Sequence, residues 1–201
     1  MGSFRYGILI VICLASCATQ GAATGEAPNT SQGRDAAAAG STSSPTPPFW
    51  VYRDGKFDWE GDYSWLAQID YRDTQGTPPG HRYDIAVKIV GKWGGFQPFA
   101  PGKRFDVSRY KYLVYSLKPT VADQVFGTGF AAINDVADGK PVTVAGPPYG
   151  PVPVAGQWAT YKIPLSEFAL TNKFIQKFTI ADGTGRPSNL FYVDDVHFTA
   201  E

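Results

Sequence analysis

The chain has 201 residues, with 18 Lys and Arg against 18 Asp and Glu, so its formal net charge at pH 7 is zero. Two charges of each sign fall in the first 48 residues, so the remainder is balanced as well and has no basic field to attract nucleic acid or anionic lipid. The only two cysteines, Cys13 and Cys17, lie near the N-terminus, which excludes an intramolecular disulfide from everything downstream; stability there must come from a core, a metal ion or both.

The N-terminus "MGSFRYGILIVICLASC" places one basic residue, Arg5, before a short apolar run and then small residues, the order of a secretory signal. The run from Gly7 to Ala15 is too short to span a bilayer. "LASC", residues 14 to 17, resembles the lipobox of bacterial lipoproteins. The resemblance implies a signal peptide over residues 1–16, cleavage before Cys17 and a diacylglycerol on its sulfur. Ala18 in place of an aspartate implies display at the outer membrane where the cell has one. Residues 17–48 are rich in Ala, Gly, Ser, Thr and Pro and contain no aromatic residue, so they are expected to be a disordered linker reaching about 30 Å.

Composition changes at Phe49. All five tryptophans (Trp50, Trp59, Trp65, Trp93 and Trp158) lie beyond it, and residues 49–201 are expected to form one domain, acting as a monomer. Strand patterns follow one another, separated by Gly, Pro, Asn and Asp. "SWLAQIDY" alternates Trp65, Ala67, Ile69 and Tyr71 against Leu66, Gln68 and Asp70. "YDIAVKIV" puts Ile85, Val87 and Ile89 on one face and Asp84 and Lys88 on the other. "YKYLVYSLK" is apolar on both faces, as a central strand would be. "VFGTGFAAI" and "PVTVA" come next, and in "YKIPL" Pro164 marks an edge or a strand end. "SEFALTNKFIQ" has room for one short helical turn capped by Ser166. No long amphipathic helix is present. Nine or so short strands without a βαβ rhythm predict an all-β fold, an antiparallel β-sandwich or jelly roll.

The last strand, "FYVDDVHFT", poses a question. Strict alternation puts Tyr192, Asp194, Val196 and Phe198 on one face, and the last two imply that this face is buried. Asp194 would then be a carboxylate in a core, which must be paired, hydrogen-bonded or metal-bound.

The ordered series "VYRDGKFDWEGDYSW", "KWGGFQPF", "FDVSRYKYLVYSLKP", "GQWATYKIPLSEF" and "FTIADGTG…FYVDDVHF" resembles the galactose-binding-like β-jelly-roll carbohydrate-binding modules over nearly all of residues 49–201. The resemblance implies a structural Ca2+ at one edge of the sandwich, held by carboxylates of the first and last strands, which here fall on Asp54 and Asp194. A buried Asp194 satisfied by backbone N–H groups or by Arg or Lys is the alternative.

Catalysis finds little support. There are two histidines, His81 and His197, no H-E-x-x-H, no G-x-S-x-G and no cysteine past Cys17, and no carboxylate pair stands out for glycoside cleavage. Binding needs aromatic rings free to stack on a sugar, whereas most aromatics of a sandwich belong to its core. Trp65 and Trp158 read as core, Trp158 also as a strand-start plug. Trp93, between glycines in "GKWGGFQPFAPG", and Trp59, in the polar run "DGKFDWEGDYSW", are the expected exposed platforms. Phe96 and Tyr115 are lesser candidates, with Arg82, Asn134 and Asp135 as hydroxyl partners. The expectation is a lipid-anchored, non-catalytic binder of a polysaccharide or glycoconjugate; the alternative is a sandwich that docks an envelope protein.

Overall fold

A computed structural model describes residues 45–201 apart from Pro101 and Lys103. The signal peptide, Cys17 and the linker lie outside the described residues. The fold occupies the compact unit Thr46–Glu201. Among the described residues there are fourteen strands: β1 (Phe49–Arg53), β2 (Lys56–Phe57), β3 (Gly61–Asp62), β4 (Ala67–Asp73), β5 (Asp84–Ile89), β6 (Gly95–Phe96), β7 (Pro98–Phe99), β8 (Phe105–Asp106), β9 (Tyr112–Pro119), β10 (Phe126–Ala132), β11 (Ala137–Val144), β12 (Ala159–Pro164), β13 (Phe174–Asp182) and β14 (Leu190–Thr199). The described helical pieces are single 3-10 turns, among them Leu165–Phe168. Ser166 falls inside that turn rather than capping it, and the cap position is Pro164, which has no side-chain bond to give.

All pairings are antiparallel, in two sheets. The first runs β12-β9-β14-β1-β2, with β5 and then β4 joined to β14; the second runs β11-β10-β13-β7-β3, with β6 and β8 also on β13. Leu113, Tyr115 and Leu117 face the core from β9, Ile85, Val87 and Ile89 from β5, and Phe178 and Ile180 from β13. β12 is an edge strand, as Pro164 requires, and the Pro-rich segment before it covers that edge: Lys162 N–H donates to Tyr149 C=O at 2.9 Å.

β14 departs from strict alternation. Its register on β9 shifts between Asp194 and His197, and Asp195 takes a left-handed conformation with φ of 52°. This bulge adds one residue and reverses the phase. Phe191 and Val193 face the core before it, and Val196 and Phe198 after it. Asp194 therefore shares the outer face of its sheet with Tyr192, not the core face with Phe198. The bulge also lies where β14 changes neighbour, from β5 at residues 190–193 to β1 at residues 196–198.

Candidate functional site

Asp194 fills the gap at this change of neighbour. Its side chain is fully buried, and His81 Nδ1 donates to its Oδ2 at 2.8 Å. Oδ1 accepts from the N–H of Asp195 at 2.7 Å and, more loosely, from that of Asp54 at 3.5 Å. Burial, followed by the neighbouring Asp195 charge, raises the Asp194 carboxyl above its usual range; the Asp195 N–H and His81 pull it back. His81→Gln is expected to cost about 1–3 kcal/mol of stability, since it removes the partner of a buried carboxylate. Urea unfolding would measure the loss.

The Asp54 carboxylate is directed elsewhere. Asp54 and Gly55 form the two-residue loop between β1 and β2, with φ of 47° and 79°. That backbone is the type I′ geometry favoured by Asp-Gly in hairpins. It turns the Asp54 side chain outward, where Oδ1 accepts from the N–H groups of Arg82 at 2.6 Å and Tyr83 at 2.9 Å. These bonds hold its carboxyl below the usual range. Asp54 thus anchors the 74–83 loop, and a Ca2+ shared by the carboxylates of Asp54 and Asp194 does not fit. Single ligand atoms of His81, Asp194 and Asp195 do lie within 4.8 Å of one another. That group includes an imidazole nitrogen, unlike the all-oxygen shells of Ca2+, and Arg53 Nε already stands 3.7 Å from Asp195 Oδ1.

Three of the four expected stacking residues belong to the core. Trp59 is 4% exposed, Phe96 and Tyr115 0%. Trp59 packs among Phe105, Phe178 and Phe198; the charged residues beside it in sequence face the other way. Phe96 sits opposite Ile180, and the Tyr115 hydroxyl meets Thr128 Oγ1 at 2.7 Å inside the sandwich. None can meet a polymer in this packing. Trp93 is 51% exposed and holds φ of 63°, a strained conformation for a bulky residue. Its ring lies against Gly185, where a Cβ would come within 2.9 Å of it. Trp158, read as core, is half-buried with Nε1–H donating to Gly76 C=O at 2.7 Å, and the half-buried His197 ring packs 4.3 Å from that of Trp50.

Trp93 stands at one end of a distinctive surface, the outer face of the β13 sheet. Phe126, Thr128 and Phe130 of β10 turn inward, so Gly127, Gly129 and Ala131 turn outward. They pair with Ala181, Thr179 and Lys177 of β13. A Cβ on Gly127 would meet nothing within 4 Å. These small residues form a low floor. Larger groups border it on the side of β6 and β7: Trp65 leans over Gly95, Gln97 Nε2 donates to Thr179 Oγ1 at 2.8 Å, and Tyr63 stacks on Phe99 at 4.5 Å. Tyr63 is 48% exposed. Lys177 Nζ lies 5.3 Å from its ring and pairs with Asp135. The strip therefore carries two exposed rings, a planar amide and a charge pair around a floor without large side chains. Of the expected hydroxyl partners, Asp135 is at this strip, whereas Arg82 is on the 74–83 loop.

A recess of about 470 Å3 lined by Val107, Tyr110, Leu165 and Leu170 lies at the other end of β13 from Trp93.

No protein-family model matches the sequence, and no curated protein matches it significantly. Solved structures do match. The family 30 carbohydrate-binding module of a cellulosomal cellulase of Clostridium thermocellum aligns with a TM-score of 0.58 at 16% identity, over 78% of this chain and 99% of that one. The family 11 module of another cellulosomal cellulase of that organism gives 0.55 at 17% identity, over 79% and 97%. A family 29 module complexed with cellulohexaose gives 0.53 at 11% identity, over 77% and 91%. The domain is a β-sandwich jelly roll of this kind. Tyr63, Gln97, Thr179 and Lys177 were not singled out in the sequence, and Trp65, read there as core, is only half-buried at the border of the strip; the one local signal was the outward Gly127 and Gly129 in "FGTGF", which leaves one face of a strand bare.

Proposed function

We propose that this protein is a non-catalytic carbohydrate-binding lipoprotein that holds a polysaccharide or glycoconjugate along the outer face of the β13 sheet. The observation that carries the proposal is Trp93, an exposed ring kept in a strained backbone conformation at the end of a glycine-floored strip. Trp93 and Tyr63 stack on the apolar faces of sugar rings, and Gln97, Thr179 and the Lys177–Asp135 pair meet hydroxyl groups. Gly127 and Gly129 let the polymer approach the backbone. A shallow open strip suits a chain passing through rather than a chain end. The fold shared with carbohydrate-binding modules supports the reading, as does the absence of any recognisable catalytic pair in the sequence. The lipid on Cys17 displays the domain at the cell envelope, where many weak contacts act together.

The test is a polysaccharide pull-down and glycan array with the wild-type protein, Trp93→Ala and Tyr63→Ala. Each substitution is expected to weaken glycan binding about tenfold, equivalent to about 1.4 kcal/mol. Stability should change by no more than about 0.5 kcal/mol, as for other surface positions. A folded protein that binds no glycan, or whose binding is untouched in both variants, would overturn the proposal and redirect the search to a protein partner in the envelope.

A further inference from the structure

Leu66 and Val90 are large apolar side chains left in water, at 51% and 50% exposure. They meet where the β4–β5 ladder runs out: Ala67 pairs with Ile89, and Val90 N–H donates to Leu66 C=O at 2.8 Å. The chain then turns through Gly91, Lys92 and Trp93, and Gly95 N–H donates to Trp65 C=O at 3.1 Å. Residues 90–95 thus curl around residues 65 and 66. The approach is close: a Cβ on Gly91 would come 3.1 Å from a Leu66 methyl, and one on Gly94 would strike the Leu66 carbonyl.

Two residues of this corner are strained. Leu66 holds φ of 47° and Trp93 φ of 63°. Left-handed backbone is an outlier for bulky residues, and it persists where the surrounding structure imposes it, most often at binding sites. Here it twice presents an apolar side chain to water. The neighbouring carbonyls are committed, Leu66 C=O to Val90 N–H and Trp65 C=O to Gly95 N–H. Lys92, which is exposed, is the one charged side chain between Val90 and Gly95. A sugar hydroxyl laid over Leu66 and Val90 would therefore lose water and gain no partner, which is unfavourable. Branched aliphatic side chains also lack the flat ring face that Trp93 offers a sugar.

We propose that Leu66 and Val90 take an apolar substituent, an O-acyl group, carried by the polysaccharide whose rings stack on Trp93; the inference rests on the reading of the β13 face as a glycan strip. Trp93 belongs to both surfaces. Its ring lies against Gly185 at the end of the strip, and its backbone lies in the turn that curls around Leu66. The size of the corner fits a small group. The exposed parts of Leu66, Val90 and Trp93 together offer roughly 300 Å2, well short of the ~800 Å2 that each partner of a standard protein interface buries. That area suffices for an ester of a few carbons, which gains affinity by leaving water.

The experiment compares binding to acetylated xylan and acetylated glucomannan with binding to the same polymers after mild alkali has removed their esters. Wild-type protein is expected to bind an acetylated form about fivefold more tightly than its saponified counterpart. Leu66→Asn suits the positive φ, which Asn tolerates better than Leu, and Val90→Thr keeps the side-chain shape. Both variants should bind the saponified polymer as the wild type does and lose the preference for the ester. Trp93→Ala should weaken both forms alike. Equal binding of the two forms by the wild type, or a preference that survives in both variants, overturns the acyl site and leaves the glycan strip standing. Binding to other glycans on an array but to neither polymer overturns it as well, and a protein that binds no glycan at all overturns strip and corner together. Two further outcomes reassign the corner and overturn the proposal: a dimer in analytical ultracentrifugation that Leu66→Asn dissociates, and sedimentation of a Cys17→Ser chain with phosphatidylglycerol vesicles that Leu66→Asn abolishes.

Discussion

Trp59→Ala is expected to lower the unfolding free energy by about 3–5 kcal/mol, the range for truncating a large buried aromatic. Trp59 lies in a polar stretch of sequence, yet its ring centroid is 5.2 Å from that of Phe178, 5.8 Å from Phe105 and 6.2 Å from Phe198. Phe178 belongs to β13, Phe198 to β14 and Phe105 to β8, so the ring joins both sheets near the entry of the chain. Such aromatic contacts add about 0.5–1.5 kcal/mol per pair beyond area burial. Trp59 Nε1 is buried without a partner, so Trp59→Phe removes an unsatisfied donor while keeping most of the packing. Trp59→Phe should therefore cost less than half as much as Trp59→Ala. Urea unfolding of the two variants checks the ratio; near-wild-type stability of Trp59→Ala would remove the ring from the core. Trp93→Ala, which deletes a half-exposed side chain, should by contrast be close to neutral for stability.

The strands long enough to show a period were legible in the sequence. Ile85, Val87 and Ile89 face the core as "YDIAVKIV" requires, and β9 is central and β12 an edge, as "YKYLVYSLK" and Pro164 indicate. The two-residue strands β2, β3, β6, β7 and β8 have no period to read. The last strand misled for a physical reason. One extra residue at Asp195 reverses the alternation, and it can be located only against the partner strands. The face assigned to Asp194 was therefore the opposite of the observed one, although its need for a partner was visible from its setting.

The candidate site was less legible because it is assembled across strands far apart in sequence. Tyr63, Phe99, Gln97, Thr179, Lys177 and Gly129 come together only once β3, β7 and β10 are ranged along β13. Trp93 could be read because its glycine neighbours give it freedom in any fold. Trp59 could not, since the charge of Asp58 and Glu60 describes the opposite side of the chain from Trp59. The same limit applies to the facing carboxylates of β4 and β5: "YRDTQG" and "RYDIAV" are unremarkable apart, and only the β4–β5 register places Asp73 against Asp84.

In the presence of EDTA, stability is expected to fall as pH rises from about 4 to about 8. Burial, then the charge of Asp73 opposite, pushes the Asp84 carboxyl up to about 8, against 3.8 for the ordinary group. Below pH 4 Asp84 is protonated in both folded and unfolded chains and costs nothing. Between the two values the unfolded chain ionises while the folded chain keeps its proton, so the folded state binds more protons and loses stability as pH increases. Asp84 alone contributes a slope of at most about 1.4 kcal/mol per pH unit, and its share of the loss levels off above pH 8. Asp194, raised in the same direction by burial, adds to the fall. Asp84→Asn should flatten the profile and make the chelated protein more stable than wild type at pH 8. Melting curves of the two proteins across this range, recorded in EDTA, provide the check. Parallel profiles for wild type and Asp84→Asn would mean that Asp84 ionises in the folded protein without cost, and the burial beneath the 74–83 loop would not be what holds its proton.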